Sequence, residues 1–296
     1  MKYYLLCLGV IALVLLGAHS ARVSTDGILL PFNYAAAAGY LNVDDGREHP
    51  FDGTVTVNKF GRNADSDTSE DSIWDGSDLG GPIRCFDVIG TTAAALYISS
   101  DHEDDATLEV TVEYLDANWD TQTLDVALGA VANGTATEFV QIGSGTIMRV
   151  NRAYATSTAL TGNVYIHIDS VDAAAKDGIP DTVLTDYVAG IVAGENQTLQ
   201  ACYTVPNDFS ALLTQYCTTN INTAANAVAT FRLRRSAEGA ASRVAEIIEM
   251  SESVYQCTPH DPPVMFAEKT DIELTAVMSQ NNASATGTFD LVLIPE

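Results

Sequence analysis

The sequence predicts an all-β protein: two tandem antiparallel β-sandwich domains, jelly-roll-like, preceded by an N-terminal hydrophobic helix and an extended arm. Three observations point there. After position 50, apolar residues recur with period two rather than 3.6. Clusters of Gly, Asn, Asp and Ser punctuate these runs, as in "DANW", "NGTAT" and "GSGT", and such clusters mark turns between short strands. Hydrophobic residues make up 47% of the 296, enough to fill cores rather than leave the chain disordered.

The N-terminus comes first. "MKYYLLCLGVIALVLLGAHSA" has one Lys and then 16 uncharged, mostly apolar residues from Tyr3 to Ala18. As a helix that run spans about 24 Å, short of the roughly 30 Å of a bilayer's hydrocarbon. Small residues at Ala18 and Ser20 suit a signal-peptidase site. Residues 1–21 therefore read as a signal peptide or a membrane anchor, with membrane contact through residues 3–18 in the second case. Residues 22–50 include "PFNYAAAAGY" and form an arm too short for a core of its own. Its burial has to come from a neighbour, in the same chain or another.

Eight segments alternate cleanly. "GTVTVNKF" (53–60), "TLEVTVEYL" (107–115), "TQTLDVAL" (121–128) and "GNVYIHID" (162–169) fall in a first sandwich, residues 51–185. "TLQACYTV" (198–205), "NAVATFRL" (226–233), "DIELTAVM" (271–278) and "GTFDLVLI" (287–294) fall in a second, residues 186–296. The boundary is placed where residues 173–197 lose alternation and carry Gly178, Pro180, Gly190 and Gly194. "AASRVAEIIEM" (240–250) reads either as the one helix or as a strand with Val244, Ile247 and Ile248 packed.

Charge narrows function. Fourteen basic against 39 acidic residues give a net charge of -25, the wrong sign for neutralising nucleic-acid phosphates. It suits a soluble surface that resists non-specific sticking. No nucleophile elbow, phosphate loop or metalloprotease helix is present, and no spacing picks out a carboxylate pair. His167 lies within a strand pattern. No catalytic residue, and hence no enzyme, is expected.

Other chemistry concentrates in "NKFGRNADSDTSEDSIWDGSD" (58–78). Asn63, Asp65 and Asp67 alternate as in the opening of a calcium loop. Thr68 then stands where that loop needs Gly, and Trp74 where it needs a bidentate acid. Calcium on these three is one reading, and a solvated connection with outward carboxylates is the other. No other cofactor is expected. Val55, Val57 and Phe60 should anchor the strand before this stretch and Trp74 the return. Trp74 and Trp119, each beside Asp, are either surface aromatics that stack on a glycan or covers over the ends of a core. Beyond Cys7, the four cysteines Cys85, Cys202, Cys217 and Cys257 allow three pairings. Cys202 and Cys217 flank a Pro-Asn-Asp turn and are the candidate disulfide, with buried free thiols as the alternative. No pair of Cys and His at zinc spacing occurs.

"VNKFGRNADSDTSEDSIWDG" resembles a pattern in uncharacterised structural proteins of marine tailed bacteriophages, where Lys-Phe-Gly-Arg-Asn precedes spaced Asp residues and Glu-Asp-x-Ile-Trp-Asp-Gly. The likeness continues in order through "VEYLDANWDTQTLDVAL" (112–128), "IMRVNRAYA" (147–155), "CYTVPND" (202–208) and "FAEKTDIELTAVMSQNNASATGTFDLVLI" (266–294). It implies a non-enzymatic virion component and supplies no catalytic residues. The hydrophobic leader departs from that group, whose members start at the globular part. It implies either a virion with an internal membrane or an exported cellular relative.

The sequence thus predicts a bacteriophage capsid, spike or other surface protein that self-assembles through sandwich edges and its arm. Its expected partners are copies of itself and other virion proteins. The alternative is an exported bacterial adhesin or carbohydrate-binding module, at the cell surface or secreted, with a host glycan as partner.

Overall fold

The computed structural model describes residues 53–296 except 82–83, 133–135, 157, 173–176, 183–185, 222–227, 252–254 and 282. The expected leader and arm over residues 1–50 lie outside the described residues. In chain order, β1 (Val55–Ser66) and β2 (Asp71–Ser72) come first. A middle group follows: β3 (Tyr97–Ser100), β4 (Glu109–Asp116), β5 (Thr121–Ala127), β6 (Val131–Ala132), β7 (Ala136–Thr137), β8 (Val140–Gln141), β9 (Ile147–Ala155), β10 (Val164–His167) and β11 (Tyr187–Ile191). The last group is β12 (Cys202–Thr204), β13 (Phe209–Ile221), β14 (Val228–Ala237), β15 (Arg243–Ser251), β16 (Tyr255–Phe266), β17 (Thr270–Met278) and β18 (Ala283–Pro295). The protein is all-β, and the described strand pairs are antiparallel.

Two cores organise these strands. One sheet runs β1-β18-β13-β16 and a second runs β12-β17-β14-β15, with β2 beside β17. Their inner faces meet: Leu213, Phe289 and Leu291 from the first pack with Phe231, Leu233, Ile272 and Leu274 from the second. The middle group makes another sheet pair, β11-β10-β3-β8 and β5-β4-β9, which encloses Ile98, Val110, Val112, Val164 and Ile166. Face-to-face sheets with alternating inward residues are β-sandwich packing.

The cores are nested rather than tandem, which corrects the expected division at 185/186. β1 pairs along its length with β18, Val57 opposite Leu291 and Lys59 opposite Phe289. It therefore belongs to the outer sandwich. β11, placed by the sequence in the second domain, pairs with β10 in the inserted one. The outer sandwich is made of two stretches of chain, and the other core lies between them in sequence.

Two local expectations also change. "AASRVAEIIEM" is strand from Arg243 on, and of Val244, Ile247 and Ile248 only Ile248 is buried; Val244 is 39% and Ile247 56% exposed. Phe60 does not anchor β1. It shares the outward phase with Thr56 and Asn58 and is 40% exposed, while the inward positions are Val57, Lys59, Gly61 and Asn63. Val55, at the strand's start, is exposed as well.

Candidate functional site

The "KFGRN" and "DSIWDG" stretches meet where the chain leaves the outer sandwich for the inserted one and later returns. Ile73 N–H donates to the Leu274 carbonyl at 2.9 Å, Ala201 N–H to the Ile73 carbonyl at 2.9 Å, and Leu274 N–H to the Ala201 carbonyl at 3.0 Å. The outgoing and returning strands therefore close on each other over β17. Gly61 is what lets β1 lie against this crossing. A Cβ at position 61 would sit 2.0 Å from the Ile73 carbonyl oxygen and 2.3 Å from Ala201 N. Its cross-strand partner is Gly287, above which the Ile73 side chain inserts, 2.9 Å from where a Cβ would be. Two opposed glycines make the room.

Polar groups at the crossing are buried and tied. Lys59 Nζ donates to the Asn151 carbonyl on β9. Burial, with the nearby Arg152 charge adding to it, pushes the Lys59 amine down to about 7. Asn151 in turn exchanges hydrogen bonds with Thr204, Nδ2 to the carbonyl at 3.2 Å and Oδ1 from N–H at 3.0 Å. Asp75 accepts from Leu199 N–H at 3.0 Å. Burial raises that carboxyl well above its ordinary range, opposed by the same backbone donor.

Beside the crossing runs a charged seam. β17 is covered on both faces, so its outward residues Glu273 and Thr275 are buried although polar, and Asp271 is nearly so. Buried charges need partners, and arginines supply them. Arg149 from β9 binds Asp271 in a two-pronged pair, Nε to Oδ1 at 3.0 Å and Nη2 to Oδ2 at 2.9 Å. Its Nη1 donates to the carbonyls of Ile89, Gly90 and Met148, and Trp119 lies 5.3 Å from the guanidinium carbon. Arg84 grips Glu273 at both carboxylate oxygens. Arg232 and Arg234, outward on β14, converge on Glu70. Burial pushes the Glu70 carboxyl up, but hydrogen bonds from Arg234 and Thr275 and both positive charges outweigh it and bring the pKa to about 2. An open cleft of about 420 Å³ adjoins this seam, bordered by Arg84, Trp119, Arg149, Arg235 and Asp271.

The expected site residues fare unequally. Asn63 is buried; its Nδ2 donates to the Ser72 carbonyl and its Oδ1 accepts from Asp65 N–H at 3.0 Å. A bulge between Asn63 and Ser66 shifts the strand's phase, so Asp65 is exposed while Asn63 and Ser66 point inward. Of the three expected calcium ligands, Asn63 is thus turned inward with its oxygen taken by a backbone donor, while Asp65 is exposed. Among the described residues, the side chains grouped closely enough for a metal are Cys85, Cys202 and Glu273; the two sulfurs are bonded to each other and Glu273 is held by Arg84. The pairing Cys202–Cys217 is corrected to Cys85–Cys202 and Cys217–Cys257. Cys217 sits opposite Cys257 on neighbouring strands, and Cys202 faces the other side of the outer sandwich.

Trp74 and Trp119 are not surface aromatics. Trp74 is 0% exposed and packs 5.6 Å from Tyr187, ring centre to ring centre; Trp119 is 5% exposed beneath Arg149. The anchoring role expected of Trp74 is the one it has. The arginine seam was missed in the sequence. Its trace was "FRLRR", in which Arg alternates with core residues of a strand; charges at every second position call for a second layer carrying acids.

No protein-family model matches the chain, and no curated protein does. Among solved structures, naturally occurring empty particles of cowpea mosaic virus align over 67% of this chain and 82% of theirs, at 12% identity and a TM-score of 0.18. The infectious bursal disease virus Gx strain aligns over 84% and 74%, at 9% identity and a TM-score of 0.22. That virus's VP2 subviral particle aligns over 74% and 76%, at 8% and 0.18. TM-scores of this size assign no fold to the chain.

Proposed function

We propose that the chain is a non-enzymatic structural protein of a bacteriophage virion, a capsid, spike or other surface subunit that assembles with copies of itself. The strand order of the outer sandwich carries this reading. Taking its eight main strands in sequence, the first, eighth, third and sixth form one sheet; the second, seventh, fourth and fifth form the other. That is jelly-roll wiring, used by viral capsid and lectin domains. A second sandwich inserted between the first and second strands decorates such a subunit without breaking its sheets.

Surface chemistry favours the capsid use over the lectin use. The glycan reading needed Trp74 or Trp119 at the surface, and both are interior. The outer face of the β1-β18-β13-β16 sheet instead carries an apolar row across three strands: Val292, Leu212 and Met265 stand side by side, with Met265 64% exposed. Faces of this kind become subunit contacts, and stable contacts remove at least about 1,000 Å² from water. The N-terminal arm, residues 22–50, is a second proposed contact with neighbouring copies. The phage assignment draws on the ordered resemblance, whose "KFGRN" and "SIWDG" residues occupy the crossing of the two sandwiches. Two disulfides suit a particle exposed to oxidising surroundings. The deciding experiment is sedimentation of infectious particles. The protein is expected to travel with them at a fixed copy number, and its absence from every particle fraction would remove the proposal.

A further inference from the structure

Ten arginines and four lysines are all this chain sets against 39 acids. Four of the arginines lie on the β14–β15 hairpin: Arg232, Arg234, Arg235 and Arg243. The first two are neutralised by Glu70. The other two differ. Arg235 and Arg243 are direct cross-strand partners, both are exposed, and among the described residues neither has a carboxylate, amide or ring partner. Every other arginine among the described residues has one: Arg62 with Glu195, Arg84 with Glu273, Arg149 with Asp271, Arg152 with Gln197. Like charges placed opposite each other on paired strands weaken the pairing.

The surroundings give the pair a use. Residues 237–245 are all exposed, and the hairpin end forms one wall of the open cleft beside the seam. Val244 and Ile247, opposite Arg234 and Arg232, are exposed on the hairpin's other face. β15 is an edge strand without proline, whereas β16, the corresponding edge of the facing sheet, carries Pro259, Pro262 and Pro263. Proline on an edge prevents another strand from adding, so among the described residues one edge is guarded and the other is open.

We infer that the Arg235/Arg243 end of this hairpin is a docking contact, and that its occupant is the acidic surface of a second copy of this chain. The inference rests on the proposed self-association and names the surface that makes it. Charge selects the occupant. A body of net charge -25 repels its own kind over most of its surface, and an unpaired guanidinium pair is where an approaching copy gains. Guanidinium forks match carboxylates in two-pronged geometry.

The test is sedimentation velocity on the purified full chain, at low and high salt, against Arg235→Glu/Arg243→Glu and the milder Arg235→Gln/Arg243→Gln. The native chain is expected to associate, and less so as salt rises. The reversed pair should weaken association about tenfold or more; the Gln pair should weaken it less, with an unchanged or higher melting temperature because it alone removes the cross-strand repulsion. Arg62→Glu, which disturbs an exposed ion pair elsewhere, should leave association as it was. Native-like association of both double variants would overturn the contact while leaving self-association intact. A native chain that stays monomeric throughout would remove both.

Discussion

Arg149 has a partner for each of its guanidinium nitrogens. Asp271 takes Nε and Nη2, three carbonyls take Nη1, and Trp119 and Phe86 lie about the ring of donors at 5.3 and 5.4 Å. Lysine offers one point charge and no fork, so Arg149→Lys strands the buried Asp271 carboxylate. A loss of about 3 kcal/mol is expected in urea unfolding. His167 supplies a pH signature. It is buried, lies 3.1 Å from Ser99 Oγ through Nε2, and is pushed down to about 4 by burial, with Asp169 and Asp172 opposing. The unfolded imidazole takes up a proton near 6.5 and the folded one only near 4. Between those values the unfolded state binds more protons, so stability is full above the upper value and falls as pH drops toward the lower. Unfolding free energy should decrease by about 2 kcal/mol from about pH 7 to about pH 5. His167→Gln should remove that slope; an equal slope in the variant would assign it to other groups.

At the scale of elements, β1 and the crossing are one construction. Gly61→Ala drives a methyl into the Ile73 carbonyl and Ala201 N, and neither backbone can retreat without breaking the bonds that join them. About 3 kcal/mol or more of destabilisation is expected, read as a lowered melting temperature. The Cys85–Cys202 bond closes a longer stretch of chain, 117 residues, than Cys217–Cys257, which closes 40. Cys85→Ser/Cys202→Ser should cost about 3 kcal/mol or more, and more than the other pair removed. Strand existence was legible because alternate burial writes itself locally: β18 alternates buried and half-buried from end to end. Pairing was not legible. Asn58 bonds Thr288, 230 residues on, and no local period records such a partner. The bulge that turns Asp65 away from Asn63 was equally invisible, because one extra residue reverses a face without changing composition. The burial of both tryptophans depended on neighbours brought from afar, Tyr187 for Trp74 and Arg149 for Trp119.

At the scale of the whole molecule, the described sheets divide their labour. The β12-β17-β14-β15 sheet is closed on its outer side by the arginine seam, with Cys85–Cys202 across it. The β1-β18-β13-β16 sheet carries the Val292, Leu212 and Met265 row on its outer face, Met265 exposed and the other two half-buried. Replacing Leu212 by Lys sets a charge in that row without touching the core. It is expected to leave the melting temperature nearly unchanged and to lower the assembled fraction in light scattering. The most direct measurement of the central claim is electron microscopy of the purified full chain at rising concentration, with its mass followed by light scattering. Regular rings, sheets or closed shells of many copies are the predicted result. A single copy at every concentration, folded and holding a glycan instead, would contradict it.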